Sequence, residues 1–587
     1  AQGPVRASTS ALPDQTPCVS MSVAAQIPPV EQDGHVDPPP ASLAPGASPS
    51  AVEPTVFGSP ASPEKARRGS SSILREATDE MLVEVRGATL QCCLGGLGQI
   101  WDSSAGNTRD YARTMMRHSL DYFVSHDWGT GRWTKLLTLA VYFNGAPALC
   151  ASFAMSVVAF ILQVVGVLAQ RQPPQVRITA GVKYEEAFGV WCFPAGIGTF
   201  LFVLLYWQAF RERVLSPIYV FVDKMCISQS DPEQKKRGVL SIGGFLRRSD
   251  LMLMLCTPRY FSRMWCAFEM AAWMRLKNVG SIILLPPSHA KFTGLFFSIV
   301  LLTHFCIYIG TWLPRVPTIP LALLVANCAP LPLTYFARQV MRELLSMPDL
   351  LREHDVSKTQ CFCCSHRHVD PATGFALLCD REIVYEAIDG WYGITPASSQ
   401  QLAAEAGGSP CGVPAVASRV GKERFNEEVQ TKLSEALEIM VAKPTSYRSW
   451  LIVASPSIWW YLDQVTAMVV DGPHDPYLVF KRGLRIFIVC FLLWPLNCAQ
   501  VLREAKRFRR RGTGRCGELG LTLAAFVCAQ GPCTVCNFVL VAVAEPSQSA
   551  VFEAVLIVLI SARLAVLLYP AQLRAAAFAL ARRRVTA

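Results

Sequence analysis

Eight long apolar runs limit what this chain can fold into. Pro147 to Ala169, Ala187 to Phe210, Phe292 to Leu313, Val316 to Ala337, Trp450 to Val470, Ile486 to Leu502, Leu519 to Val543 and Val551 to Tyr569 each approach or exceed the roughly 20 residues that cross a bilayer as a helix. The competing reading, core helices of a soluble domain, fails because so many runs cannot all hide inside one soluble core. Composition agrees: 51% of residues are hydrophobic, 17% are charged and mean hydropathy is +0.29, which excludes a purely soluble enzyme. The Ile486 run is the shortest and the Val316 run carries Pro320, Pro330 and Pro332, so re-entrant or buried geometry is the alternative for these two. The expected fold is a polytopic α-helical membrane protein of about eight spans, with the lipid bilayer as its first partner.

Orientation follows from the basic loops. Arg503, Lys506, Arg507, Arg509, Arg510, Arg511 and Arg515 crowd one short connection, and Arg582, Arg583 and Arg584 follow the last span. Lys and Arg collect on the cytosolic side. Alternating spans then place both termini and the segments 211–290 and 338–448 in the cytosol, with Lys481, Arg482 and Arg485 as outward-facing exceptions that snorkel. The net charge of +11 is accounted for by such loops, so no nucleic-acid partner is expected. The 21 cysteines fall in apolar runs or cytosolic segments and are read as mostly reduced.

The expected organisation begins with a disordered Pro/Ala/Ser-rich tail over 1–75, too poor in large apolar residues to offset ordering entropy and lacking a signal-peptide pattern. A cytosolic segment follows over 76–143, then a transmembrane hairpin of spans one and two over 147–210 and a cytosolic segment over 211–290. Spans three and four occupy 292–337, an α-rich cytosolic domain 338–448, and spans five and six 450–502. A basic loop over 503–518, spans seven and eight over 519–569 and a basic cytosolic tail over 570–587 complete the chain.

The segment after the hairpin reads as βαβαβ. IYVFVD (Ile218 to Asp223), DLMLMLC (Asp250 to Cys256) and SIILL (Ser281 to Leu285) are buried-strand patterns. Helical stretches through EQKKRGVLSIGGFLRR and from about Ser262 to Arg275 separate them, which implies a parallel sheet. DYFVSH (Asp121 to His126) is a further strand pattern, lying before the first span. Strands of one sheet must share a side of the bilayer, and the two intervening crossings satisfy that. A helical stretch from Arg132 to about Phe143 would act as the crossover before the chain enters the membrane.

With FVSHDW (Phe123 to Trp128), FVDKMCISQ (Phe221 to Gln229), DLMLML and RYFSRMWCAFE (Arg259 to Glu269) in this order, the chain resembles the TIR-like domain family, as found in multi-span membrane proteins of protists. The resemblance implies an α/β TIR-like parallel-sheet domain split by the transmembrane hairpin. It further implies partners among other TIR-like domains or a homo-oligomer. In enzymatic members the Glu of the WCxxE pattern lies by the nicotinamide ribose of NAD; carried over, that catalytic residue is Glu269, and a carboxylate there would stabilise an oxocarbenium-like transition state. Ser125 and Asp127 would line the same crevice at the carboxyl end of the first strand, with Trp128 as a stacking face for NAD as substrate. The bland alternative keeps Trp265 and Cys266 as buried packing residues and Glu269 as a local capping or pairing group. Signalling or scaffolding by protein–protein interaction leads, with NAD glycohydrolase as the alternative.

In the second cytosolic segment, CFCCSHRH (Cys361 to His368) precedes Cys379. Cys361, Cys364, His366 or His368, and Cys379 offer soft ligands for a tetrahedral structural zinc; a reduced cysteine cluster or an acylated loop is the alternative. Two charges, Asp463 and Arg563, fall inside expected spans and would normally find partners, each other included. They are the only support for a third reading, a transporter or channel.

Overall fold

The computed structural model describes residues 85–102, 106–170, 175–179, 182–186, 189–228, 234, 238, 241–312, 330–369, 379–393, 413–442, 447–470, 480, 483–484, 488–512, 514–542, 555, 559 and 563. The expected N-terminal tail, the first half of the fourth run, Lys481, Arg482 and Arg485, most of the eighth run and the C-terminal tail lie outside them. Within the described residues the protein is mostly helical, with a mixed six-stranded sheet and three helices long and apolar enough to cross a membrane.

In chain order the first half contains β1 (Arg86–Thr89), α1 (Leu90–Gly98), β2 (Met115–Met116), β3 (Leu120–His126), α2 (Arg132–Val164), β4 (Gln175–Thr179), β5 (Val182–Glu186) and α3 (Cys192–Val214). It continues with β6 (Tyr219–Phe221), α4 (Ile242–Arg248), β7 (Ser249–Leu255), α5 (Met264–Leu276), β8 (Ile282–Leu284) and α6 (Pro287–Trp312). The large sheet runs β2-β1-β6-β3-β7-β8. β3 lies parallel to β6, with Phe123 opposite Phe221, and parallel to β7, with Phe123 opposite Met252; β8 extends the parallel part. Both neighbours of β3 are apolar because helices cover the two faces of such a sheet. Phe123 and Phe221 are fully buried, and their rings stack at 4.5 Å.

Four strands escape sequence reading: β4 and β5, which pair with each other as a separate two-stranded sheet, and β1 and β2 of the large sheet. β1 (RGAT) pairs antiparallel with β6, and the two-residue β2 pairs antiparallel with β1. The sheet is therefore mixed, not purely parallel.

The expected short crossover and separate first span are one continuous helix. α2 has 33 residues, about 50 Å at 1.5 Å per residue, against about 30 Å of bilayer hydrocarbon. Its first turns thus flank the sheet and its remainder is long and apolar enough to cross a bilayer, with Pro147 accommodated inside it. Next to that proline, the buried Asn144 donates to Leu204 O at 2.8 Å and accepts from Gln208 at 2.7 Å, tying α2 to α3 where a free amide would be costly. The outward faces carry Phe153, Val158 and Ile161 on α2, Phe202 and Phe210 on α3, and Leu302 and Phe305 on α6, all exposed. At most 39% of any of the three apolar windows is buried by protein. Such a surface requires lipid or another apolar partner.

The second half contains α7 (Pro330–Arg352), α8 (Asp380–Tyr392), α9 (Val413–Glu428), α10 (Tyr447–Val470), α11 (Trp494–Arg507) and α12 (Gly514–Ala542). α10 packs against α2, α3 and α6 around Ala148, Phe193, Phe200, Phe297, Ile452 and Trp459. Gly196 permits this approach: a Cβ there would sit 2.3 Å from Trp459 Cγ. The expected basic loop is shorter than its composition implies, because Arg503, Lys506 and Arg507 belong to α11 and Arg515 to α12. Arg338 of α7 is fully buried and donates to Phe508 O, Arg510 O and Thr522 Oγ1 at that turn.

Candidate functional site

β3 ends in Ser125 and His126, followed by Asp127 and Trp128. Because alternate residues of a strand point to opposite faces, these four side chains reach different places. Ser125 is fully buried; its hydroxyl donates to the Glu269 carboxyl and lies 2.5 Å from Tyr260 Oη. The Ser and Glu expected to share a crevice are thus brought together across 144 residues of sequence. Burial pushes the Glu269 carboxyl up to about 8; the Ser125 hydrogen bond opposes this weakly, and nearby Asp223 adds to it. This shift favours the protonated form of Glu269 at neutral pH. Burial also raises the Tyr260 hydroxyl and the Cys266 thiol well above their usual ranges.

Asp127 is buried and faces Arg259 at 3.3 Å and Arg263 at 3.8 Å. Trp128 is exposed, and its indole N–H donates to Asp223 at 2.6 Å. Cys266 is buried as expected, with its thiol 3.8 Å from His126 O, whereas Trp265 is only half-buried and donates to Asp380 at 3.3 Å.

A cavity of about 170 Å³ opens at the carboxyl ends of β3 and β6, lined by Trp101, His126, Trp128, Arg132, Lys135 and Lys224 among others. Of the residues expected to bind substrate, only Trp128 lines it. Ser125, Asp127 and Glu269 do not. The Lys135 and Lys224 ammonium groups lie 5.2 and 5.5 Å from the Trp101 ring, within cation–π range. Burial, with Lys135 beside it, lowers His126 to about 4, and burial also lowers Lys224. These cavity residues were missed in the sequence. Lys224 had a readable signal, since it follows Asp223 just past the second parallel strand, where ligands of open α/β sheets bind. Lys135 had none, lying one turn into the stretch read as a crossover helix, where nothing in the pattern sets it apart from a solvated lysine.

Cys363, Cys364, His368 and Cys379 converge, with their donor atoms all within 4.8 Å of one another. The expected set is corrected at one position: Cys363 belongs to this group and Cys361 does not, though Cys361 lies 3.1 Å from Cys363 and forms a second group with it and Asp380. His366 stands apart, its ring against Phe362 and its Nδ1 2.9 Å from Phe362 O.

Asp463 is also partnered otherwise than expected. Its carboxylate accepts the backbone N–H groups of Cys192 and Phe193 at 2.9 and 3.0 Å and the Gln163 amide at 3.3 Å. It caps the first turn of α3, where orphan donors and the helix dipole favour an anion. Arg563 is exposed and is not its partner. Compared with known proteins, the chain matches no family model, no curated protein and no solved structure.

Proposed function

We propose that this is a multi-pass membrane protein of about eight spans, with both termini cytosolic and a TIR-like domain that signals or scaffolds by protein–protein interaction. The parallel strands β6-β3-β7-β8 support the domain reading, since they give the second-first-third-fourth order of doubly wound α/β sheets of the flavodoxin type.

One observation carries the choice of scaffold over enzyme. The Glu269 carboxyl is engaged by Ser125 and lies outside the cavity, and burial favours its protonated form. A neutral acid does little for a developing oxocarbenium charge. Asp463, the group that favoured transport, is consumed in capping a helix.

NAD glycohydrolase remains the second reading because Ser125 and Glu269 meet beside a cationic, tryptophan-lined cavity. The purified full-length protein, incubated with NAD, is expected to release no nicotinamide and to form crosslinked homo-oligomers in proteoliposomes. Nicotinamide release that disappears in Glu269→Gln would overturn the scaffold reading.

A further inference from the structure

The geometry points to a structural zinc held by Cys363, Cys364, His368 and Cys379, fastening the second cytosolic segment to α5. The inference does not rest on the TIR-like reading. A tetrahedral ion with Zn–S bonds of about 2.3 Å holds its sulfurs about 3.8 Å apart. Cys364 Sγ lies 3.8 Å from Cys379 Sγ and 3.9 Å from Cys363 Sγ. Sulfurs packed only by van der Waals contact would tolerate this spacing, but three of them plus an imidazole nitrogen inside 4.8 Å form a complete first coordination shell.

The local backbone delivers the fourth donor. Arg367 and His368 adopt left-handed φ values of 54° and 60°, a region that non-glycine residues rarely occupy. This folds the chain back so that His368 N donates to Cys363 O at 2.8 Å. The donor set is soft and closed, with no open position, which matches a structural Cys₃His zinc site and disfavours magnesium or calcium. Acylation does not suit Cys363, which is 1% exposed.

The surroundings supply the outer contacts such a site needs. Asp380 N–H donates to Cys363 Sγ at 3.2 Å, and the Asp380 carboxylate accepts from Trp265 Nε1. Immediately before the cluster, Gln360 N donates to Ser262 O at 2.6 Å and Gln360 O accepts from Met264 N at 3.0 Å. Immediately after it, α8 runs along α5, where Tyr392 Oη donates to Ala271 O at 2.9 Å and Trp391 packs on Phe268. The ion therefore sits where two stretches meet the helix that carries Glu269. Its loss would release α8 from that helix.

The test is elemental analysis of the full-length protein purified in detergent without a metal-binding tag. The parent is expected to carry close to one zinc per chain, Cys364→Ser and Cys379→Ser to lose most of it, and Cys361→Ser and His366→Ala to keep it. Cobalt(II) exchanged into the parent is expected to give the visible absorption of a tetrahedral three-thiolate site, a readout that needs no variant to fold. Parent protein with far less than one zinc after zinc supply, loss in Cys361→Ser equal to that in Cys364→Ser, a Cys361–Cys363 disulfide by mass spectrometry, or cobalt without thiolate charge-transfer bands would each overturn the assignment.

Discussion

Glu269→Gln isolates the proton that the site holds. The folded carboxyl titrates near 8 against an ordinary value of 4.5. Between those values the folded protein keeps a proton that the unfolded chain has already released, so stability falls as pH rises and levels off above about 8. From pH 6 to pH 9 the linkage is worth about 2.7 kcal/mol at 1.36 kcal/mol per pH unit. Glu269 is half-buried, and solvent screening reduces this to about 1–2 kcal/mol. Glutamine keeps a carbonyl oxygen to accept from Ser125 and has nothing to titrate. The variant-minus-parent difference in thermal midpoint, followed by tryptophan fluorescence in detergent, is therefore expected to rise by about 1–2 °C between pH 6 and pH 9. His126, held near 4, is common to both proteins and cancels. A difference that stays flat across this range, or falls, would mean that Glu269 is ionised in the folded state and would remove the argument against catalysis.

Two further outcomes follow from the packing of α2, α3, α6 and α10. Gly196→Ala drives a methyl into Trp459 and is expected to cost about 1–3 kcal/mol, whereas Gly198→Ala, with nothing within 4 Å of its new Cβ, is expected to be neutral or stabilising by up to about 1 kcal/mol; equal thermal midpoints for the pair would refute the α3–α10 approach. Asp463→Ala strands the Cys192 and Phe193 amides in the bundle and is expected to cost about 1–3 kcal/mol. Asp463→Asn, retaining one acceptor, is expected to lose less, and no loss in either variant would deny the capping role.

The amino-acid sequence by itself determined the features that local pattern encodes. Three of the apolar runs announced helices long and apolar enough to cross a membrane, and short β-branched and Leu/Met-rich stretches announced β3, β6, β7 and β8, because burial on one or both faces leaves a periodic trace in neighbouring residues. It did not announce β1 and β2, short strands held by backbone pairing at one side of the sheet, nor the β4-β5 pair, nor the continuity of α2 through Pro147. It named Ser125 and Glu269 but not the protonation of Glu269, which arises from burial among groups far away in sequence. The same holds for the convergence of Cys363 with Cys364, His368 and Cys379, the cationic cavity and the partner of Asp463, whose amides lie 270 and 271 residues away. Only the tertiary structure decided these. Periodicity records which face of an element is buried, whereas desolvation, coordination and capping depend on what the rest of the chain places within a few ångströms.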